Sequence, residues 1–257
     1  MKKILALALA LVMCSLCFAA CSVDSSKDLE NVQKKGKMVV GITEYEPMNY
    51  KDANGDWTGF DTEFAQKVGE KLGVEVEFVE IVWDKKAMEL ESGNIDCVWN
   101  GMTLSNEVME AMDCSKPYVV NAQVLVMKAD VVNNYEKVED LKDLTFVAEK
   151  GSTGAQAITD AGYTATEVDT QAKALMEVKN GTADACVIDI TMAKAMTGEG
   201  TDYADLSYGL AFTSEEYGIG FRKGSTLLAE VNKIMDELKA DNTLKTLAEK
   251  YNLTLAE

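Results

Sequence analysis

Apolar residues recur along this chain with two different spacings. Four of them lie four positions apart and predict the apolar face of one helix: Phe60, Phe64, Val68 and Leu72. Val74–Phe78 instead alternates apolar and polar residues, as a strand with one buried face does. Segments of the two kinds follow each other along the chain, which is typical of mostly parallel sheets flanked by helices. In such sheets ligands bind beyond the carboxyl ends of the strands.

Two segments of the chain read alike. Residues 88–99 and residues 176–188 each predict a helix that stops at a glycine, Gly93 or Gly181, and is followed at once by a buried strand. Polar residues come directly after both strands. The repeat therefore indicates two α/β lobes of similar design, each with a polar strand end that could face a ligand.

Charge and composition narrow the functional classes. The net charge is −18 at pH 7 and Arg222 is the only arginine, which excludes a nucleic-acid-binding protein with its basic surface. There is no histidine, and Cys97, Cys114 and Cys186 are scattered. We therefore expect no metal site and no cofactor, and we expect these cysteines to be small buried residues without a disulfide framework. The 257 residues are enough for two lobes, and we expect a monomer.

The N-terminal segment predicts export. Lys2 and Lys3 precede an apolar run that ends in small residues before Cys21, so residues 1–20 are predicted to be a signal peptide. A cysteine directly after two alanines resembles the lipobox of bacterial lipoproteins, in which that cysteine is lipidated. An ordinary signal peptide is the alternative. In the lipoprotein interpretation, Cys21 anchors the exported protein to the outer side of the cell membrane, and residues 21–35 form a polar tether.

Five stretches carry a resemblance to a known family. In chain order they are GITEYEPMNYKDANGDWTGFD, LESGNIDCVWNGMTLSNEVMEAMDCSKPY, EDLKDLTFVAEKGSTG, NGTADACVID and YGIGFRKGS. From Gly36 onwards the chain resembles bacterial extracellular solute-binding proteins of the polar amino-acid family, the receptors of ABC importers. The resemblance implies a two-lobed α/β fold of the periplasmic-binding-protein type II, with two crossover strands as the hinge. Lobe 1 would span residues 36–121 and 216–257, and lobe 2 residues 122–215.

The resemblance places one set of ligand-binding groups in lobe 1. Tyr45 and Trp83 fall where the family has aromatic residues that sandwich the ligand's side chain, and an aromatic face also attracts cations. Packing in the core or at the rim is the alternative. Asn100, Gly101 and Thr103 fall where the family holds the amino-acid head group with backbone and hydroxyl groups. An ordinary turn before a helix would also explain these three residues.

A second set lies in lobe 2. Ser152 and Thr153 are predicted at the N-terminus of a helix, where free N–H groups favour a carboxylate. A serine that simply caps the helix explains this motif equally well. Asp189 ends the strand of the second repeat, where the family places a carboxylate that accepts hydrogen bonds from the ligand's α-ammonium group.

The family pattern breaks at Val108. Members commonly carry an arginine at this position, whose guanidinium group binds the ligand's α-carboxylate. In this chain Leu104, Val108 and Met112 form an apolar stripe at helical spacing, which predicts core packing. Arg222 does not replace the missing group, because the family uses that stretch structurally.

Acidic residues collect at positions expected near the cleft. Glu44 and Glu46 flank Tyr45, and Glu149 precedes the motif KGSTG. Together with Asp189 they would bring several carboxylates to one cleft. Burying unpaired carboxylates is costly, so the ligand should bring positive charge. In so acidic a chain, each of these glutamates could equally be a solvated surface residue.

We therefore expect a lipid-anchored receptor that captures a small amino acid, cationic or amine-bearing, and delivers it to an ABC permease in the membrane. Closure of the lobes at hinges near Val119–Val124 and Phe212–Gly218 would be the functional motion. We expect no enzymatic activity. Two alternatives stay open: an enzyme of the same fold, such as a cyclohexadienyl-dehydratase-like protein, and a sensory lipoprotein that uses the same cleft.

Overall fold

The computed structural model describes residues 23–257, so the predicted signal peptide and the predicted lipidation site at Cys21 lie outside the described residues. In the described part, the helices α1–α9 are Asp28–Lys35, Phe60–Leu72, Lys86–Glu91, Asn106–Ala111, Thr153–Asp160, Gln171–Asn180, Ile190–Met196, Thr226–Ala240 and Thr243–Lys250. The strands β1–β13 are Lys37–Ile42, Tyr50–Lys51, Trp57–Thr58, Glu75–Glu80, Cys97–Thr103, Asp113–Cys114, Val119–Asn121, Gln123–Lys128, Phe146–Glu149, Ala165–Val168, Ala185–Asp189, Leu206–Ala211 and Glu215–Phe221. Short 3-10 turns cover Ser25–Lys27, Trp83–Lys85, Val132–Asn134 and Val138–Leu141.

Two large sheets divide this part of the chain into two lobes. The sheet of lobe 1 has the order β4-β1-β5-β13-β6, with β7 also paired to β13, and the sheet of lobe 2 has the order β10-β9-β11-β8-β12. The sequence predicted mostly parallel sheets, but both sheets are mixed. Strand β1 pairs in parallel with β4 and β5, and β9 pairs in parallel with β10 and β11. The other pairings within these two sheets are antiparallel. The strands next to the hinge cause this difference, since β8 and β13 run against the direction of their neighbours β11 and β5.

The chain crosses between the lobes twice. It leaves lobe 1 at Ala122, between β7 and β8, and returns over residues 212–214, between β12 and β13. Both crossings lie in the segments where the hinges were expected. In register, Thr103 at the end of β5 lies opposite Tyr217, and Asp189 at the end of β11 lies opposite Gln123. The polar ends of the two repeated strands are therefore paired directly with residues of the strands that lead into the hinge.

The repeated unit predicted from the sequence is confirmed. Gly93 and Gly181 adopt left-handed backbone angles, with φ of 76° and 75°, directly after their helices. The following strands β5 and β11 are buried along their whole length. Cys97 and Cys186 lie in these strands as unpaired buried thiols, as expected, and burial raises the pKa of both. Cys114 is also unpaired and half-buried, and burial raises its pKa to about 11.

The apolar spacing around Phe60 is confirmed as well. Helix α2 runs from Phe60 to Leu72, its residues Phe60, Phe64 and Val68 are fully buried, and Gly73 ends it with a φ of 72°. These three side chains join an apolar core cluster that has members in both lobes. Four-residue spacing was therefore a sufficient signal for this helix, because three of the four residues in the stripe are fully buried and Leu72 is half-buried.

Residues 28–35 were expected to belong to the polar tether, and for this segment the expectation is wrong. They form helix α1, which packs on lobe 1 with Val32 fully buried. Its first residue, Asp28, is also buried, and the guanidinium Nε of Arg222 donates to its carboxylate at 3.0 Å. The helix was missed because two apolar residues among charged and polar neighbours give a weak signal, and because its partner Arg222 is distant in sequence.

Candidate functional site between the lobes

A cavity lies between the lobes at the carboxyl ends of β5 and β11. Its lining consists of Thr43, Tyr45, Trp83, Asn100, Gly101, Thr103, Gln123, Glu149, Ser152, Thr153, Gln171 and Asp189. The cavity measures about 20 Å³, which is room for a water molecule and too little for an amino acid. The lobes are therefore closed on each other, and a solute reaches the site only when they separate.

The cavity brings together every site residue predicted from the sequence except Glu44. The side chain of Glu44 is exposed to solvent, whereas its neighbours Thr43 and Tyr45 are buried. Glu44 lies outside the lining because successive side chains in this extended segment point in opposite directions. Glu46 is half-buried outside the lining, and burial raises its pKa.

Asp189 is the centre of a hydrogen-bonded network. Its Oδ1 accepts from Gln123 Nε2 at 2.8 Å, from the hydroxyl of Tyr217 at 2.8 Å and from Asn121 Nδ2. Its Oδ2 accepts from Gln171 Nε2. Residues from both crossover strands thus hold this carboxylate, so a ligand bound to Asp189 is connected to the hinge.

Glu215 lies beside Asp189 and was missed by the sequence analysis. Its Oε1 accepts from Asn121 Nδ2 at 2.7 Å and from Gln123 Nε2 at 2.8 Å, so both amides donate to both carboxylates. Burial, followed by the charge of Glu215, raises the pKa of Asp189 to about 7. Near neutral pH, an ammonium group next to Asp189 would favour its ionised form.

Glu149, at the end of β9, has few partners. Its side chain is 4% exposed and its Oε1 makes no hydrogen bond. Burial, and secondly the charge of Asp189, raises its pKa to about 8, while Lys86 acts in the opposite direction. A buried acceptor without a partner is uncommon in folded proteins. Because Glu149 Oε1 lies on the wall of the cavity, it can accept a hydrogen bond from a donor group of a ligand.

The C-terminal half of β5, where the sequence predicted a turn, has less to offer a ligand than the family resemblance implied. Asn100 uses its side chain within lobe 1, where Oδ1 accepts from the Thr43 N–H at 3.0 Å and Nδ2 donates to the Thr43 carbonyl at 2.9 Å. The N–H of Gly101 donates to the buried carboxylate of Asp61 at 2.6 Å. The hydroxyl of Thr103 donates to Glu215 Oε1 at 2.7 Å. These groups therefore hold this end of the strand in place.

The two aromatic residues differ in their environment. The hydroxyl of Tyr45 forms hydrogen bonds with Thr191 of lobe 2 and, at 2.5 Å, with Tyr217, so this side chain joins the lobes. Trp83 lines the cavity, and the ammonium group of Lys86 lies 4.6 Å from the centre of its ring. Val108 packs in the same apolar cluster as Trp83, which confirms its predicted core position.

Ser152 caps the helix that begins at Thr153. Its Oγ accepts from the N–H of Ala155 at 3.1 Å, which confirms the predicted cap. Ser152 and Thr153 both line the cavity at the positive end of this helix. Capping and contact with a ligand are therefore compatible here.

Several polar groups of the site had no clear signal in the sequence. Gln171 comes from the first turn of α6, and Tyr217 from a crossover strand, where only the folded chain shows which way they face. Asn121 and Gln123 could have been found, because they are two amides in the otherwise apolar segment of residues 119–127. Within residues 23–257 no group of three or more acidic or cysteine side chains is placed to hold a metal ion.

Comparison with known proteins now identifies the family. Residues 38–254 match the bacterial extracellular solute-binding proteins, family 3. The chain belongs to this family. It is 30% identical to the L-cystine-binding protein TcyJ of Escherichia coli K12 over 247 residues, which cover 93% of this chain and 92% of TcyJ. Family membership places the protein outside the cytoplasm, and among residues 23–257 no helix has the length and apolar character to cross a membrane.

Solved structures agree with this assignment. A mutant of the arginine-binding protein from T. maritima superimposes with a TM-score of 0.81 at 31% identity, covering 87% of this chain and 98% of that one. An ancestral amino-acid-binding protein described as a precursor of cyclohexadienyl dehydratase superimposes with a TM-score of 0.80 at 34% identity, with the same coverage. The chain therefore has the two-lobed type II fold of amino-acid-binding proteins that serve ABC transporters.

Proposed function

We propose that this protein is the lipid-anchored receptor of an ABC importer, and that it captures a cationic or amine-bearing amino acid between its lobes for delivery to the permease. The observation that carries the ligand class is the pair Glu149 and Asp189. Both are buried, both face one cavity, and the described lining of that cavity contains no lysine or arginine. Two carboxyl groups in such a place are stabilised by a ligand that brings positive charge.

Charge neutralisation has a measurable consequence. Because burial raises the pKa of Glu149 to about 8 and that of Asp189 to about 7, both groups are partly protonated at neutral pH. A cationic ligand favours the ionised carboxylates and so releases protons as it binds. A ligand with a neutral side chain leaves Glu149 protonated and releases fewer.

The proposal is tested with the purified protein and a panel of L-arginine, L-lysine, putrescine, L-glutamine and L-glutamate. Thermal unfolding identifies binders, since a ligand at one hundred times its Kd adds about 2.7 kcal/mol of stability. Calorimetry at pH 7.5 in two buffers of different ionisation enthalpy then counts the released protons. We expect a cationic binder with proton release. Stabilisation by L-glutamate alone would contradict the proposed ligand class.

The anchor is a separate part of the proposal and rests on Cys21 after two alanines. Expressed from its full sequence, the protein should partition with membranes and enter the detergent phase of a Triton X-114 extraction. Replacing Cys21 by serine should move it to the aqueous phase. Equal partitioning of both forms would leave an ordinary signal peptide as the explanation.

Import is preferred over the two alternatives. A buried, protonated Glu149 could act as an acid, as an enzyme of this fold would require, but the arginine that would grip a substrate carboxylate is replaced by Val108 in the core. Turnover of prephenate or arogenate by the pure protein would favour the enzyme. A neighbouring gene for a histidine kinase, without genes for a permease and an ATPase, would favour a sensor.

We further propose that the protein is a monomer and uses no cofactor.

A further inference from the structure

Two short segments face each other across the edge of the cleft. In lobe 1 the segment is Trp83–Lys86, and in lobe 2 it is Glu149–Gly151. Lys150 Nζ lies 3.1 Å from the carboxylate of Asp84, and Lys86 Nζ donates to the Gly151 carbonyl at 3.2 Å. Gly151 has a φ of 70°, and a Cβ on it would lie 2.9 Å from Asp84 Oδ1. The lobes therefore touch here so closely that glycine is required.

Lys86 is held in an unusual way for a lysine. Its side chain is half-buried, and its ammonium group lies 4.6 Å from the centre of the Trp83 ring and 3.4 Å from the Trp83 carbonyl. No carboxylate of the described residues lies within 4.0 Å of it. Burial lowers its pKa, and the acidic groups that oppose this effect are Glu149 first, then Glu107 and Asp84.

Glu149 lies two residues before Gly151, whose carbonyl accepts from Lys86. The carboxyl group of Glu149 is buried, its Oε1 has no hydrogen-bond partner, and the charged groups that act on it are Asp189 and Lys86. Asp84 is already paired with Lys150. The hydrogen bond to the Gly151 carbonyl holds Lys86 beside this segment, so Lys86 is the cation that is left to act on Glu149 in the closed cleft.

We propose that Lys86 is a specificity-determining residue, which serves as the internal counter-ion of Glu149 and so lowers by one the positive charge that the closed cleft requires of a ligand. With Asp189, Glu149 and the neighbouring Glu215 ionised and Lys86 charged, these four groups carry a net charge of −2. An amino acid with a cationic side chain carries +1 and offsets half of this charge, whereas one with a neutral side chain offsets none. This inference rests on the proposed function, and it adds the residue that sets the preferred charge of the ligand.

The first test measures the Kd of L-arginine and of L-glutamine by calorimetry at pH 7.5. These ligands are similar in length and differ in side-chain charge. In Lys86→Met, Glu149 loses its counter-ion, so the preference for L-arginine over L-glutamine should rise tenfold or more, about 1.4 kcal/mol. In Glu149→Gln the preference should fall by a similar factor. Lys86→Arg should keep the wild-type preference.

The matched control is Lys85→Met, which removes the same charge from an exposed neighbour. The preference of this variant for L-arginine over L-glutamine should stay within twofold of the wild-type preference. If Lys86→Met changes both affinities by the same factor, the side chain only supports the cleft and the inference fails, even where the proposed ligand class holds.

The second test needs no ligand. Unfolding free energies at pH 9, where Glu149 is ionised, are compared for the wild type, Lys86→Met, Glu149→Gln and the double variant. We expect Lys86→Met to destabilise the wild type clearly more than it destabilises Glu149→Gln. Additive effects would overturn the counter-ion role. The two substitutions could be non-additive in a protein that binds neither L-arginine nor L-glutamine. That result would uphold the counter-ion role of Lys86 and contradict the proposed ligand class.

Discussion

Replacing Glu149 by glutamine should remove much of the pH dependence of this protein's stability. In the folded protein burial raises the pKa of Glu149 to about 8, whereas its ordinary value is 4.5. Between these two pH values the folded state holds a proton that the unfolded state has lost. The stability that comes from this group is therefore fully present below pH 4.5 and is lost as the pH rises through 8.

The size of the effect follows from the two pKa values. Each pH unit between them corresponds to about 1.4 kcal/mol, so complete ionisation of Glu149 costs up to about 5 kcal/mol of unfolding free energy. Glutamine has nearly the same shape and cannot ionise. We therefore expect Glu149→Gln to match the wild type within about 1 kcal/mol at pH 5 and to be several kcal/mol more stable at pH 9.

The assay is urea unfolding, followed by circular dichroism at pH 5, 7 and 9. Burial also raises the pKa values of Asp61 and Asp189 to about 7, so both proteins lose stability as the pH rises. Only the difference between them reports on Glu149. The control Glu167→Gln changes an exposed residue of the same lobe and should give no pH-dependent difference. A difference between Glu149→Gln and wild type that is equal at pH 5 and pH 9 would refute the reasoning.

Three further predictions concern the architecture of the site. Arg222→Leu should lower the unfolding free energy by about 3–5 kcal/mol in urea, because it leaves the buried carboxylate of helix α1 without a counter-charge; the exposed neighbour Lys223→Leu should change it by less than about 0.5 kcal/mol. Gly101→Ala should abolish ligand binding in calorimetry, since its Cβ would lie 2.6 Å from the Tyr45 ring, whereas Gly162→Ala, also at positive φ but with open space, should bind normally. Tyr45→Phe removes the hydrogen bond from lobe 1 to Thr191 of lobe 2 and should increase the radius of gyration of the ligand-free protein in X-ray scattering; an unchanged radius would argue against a role of this bond in holding the lobes together.

Local sequence signals predicted the framework of the site well. The spacing of Phe60 to Leu72 predicted helix α2, and the repeated helix–glycine–strand unit predicted strands β5 and β11 with their polar ends. Each of these signals depends on residues that are close together in the sequence. The family resemblance then placed Asp189 and Trp83 on one cavity, which the fold brings together.

The same signals could not separate Glu44 from Glu149. Both are glutamates next to residues of the predicted site, yet one is exposed and the other is 4% exposed. Glu149 is buried on the wall of the cavity between the lobes, which exists only in the folded chain. Helix α1 shows the same limit, since the burial of Asp28 depends on a guanidinium group 194 positions away.

The sequence by itself determined the two α/β lobes, the polar strand ends and the loss of the family's arginine at Val108, because periodicity and residue type act locally. The tertiary structure decided which polar groups share one cavity and what charge they carry there. Asn121, Gln123 and Glu215 reach Asp189 only because the crossover strands return beside the repeated strand of each lobe. The proton affinity of Glu149 and Asp189 likewise comes from desolvation in the folded protein, which no local pattern of the sequence records.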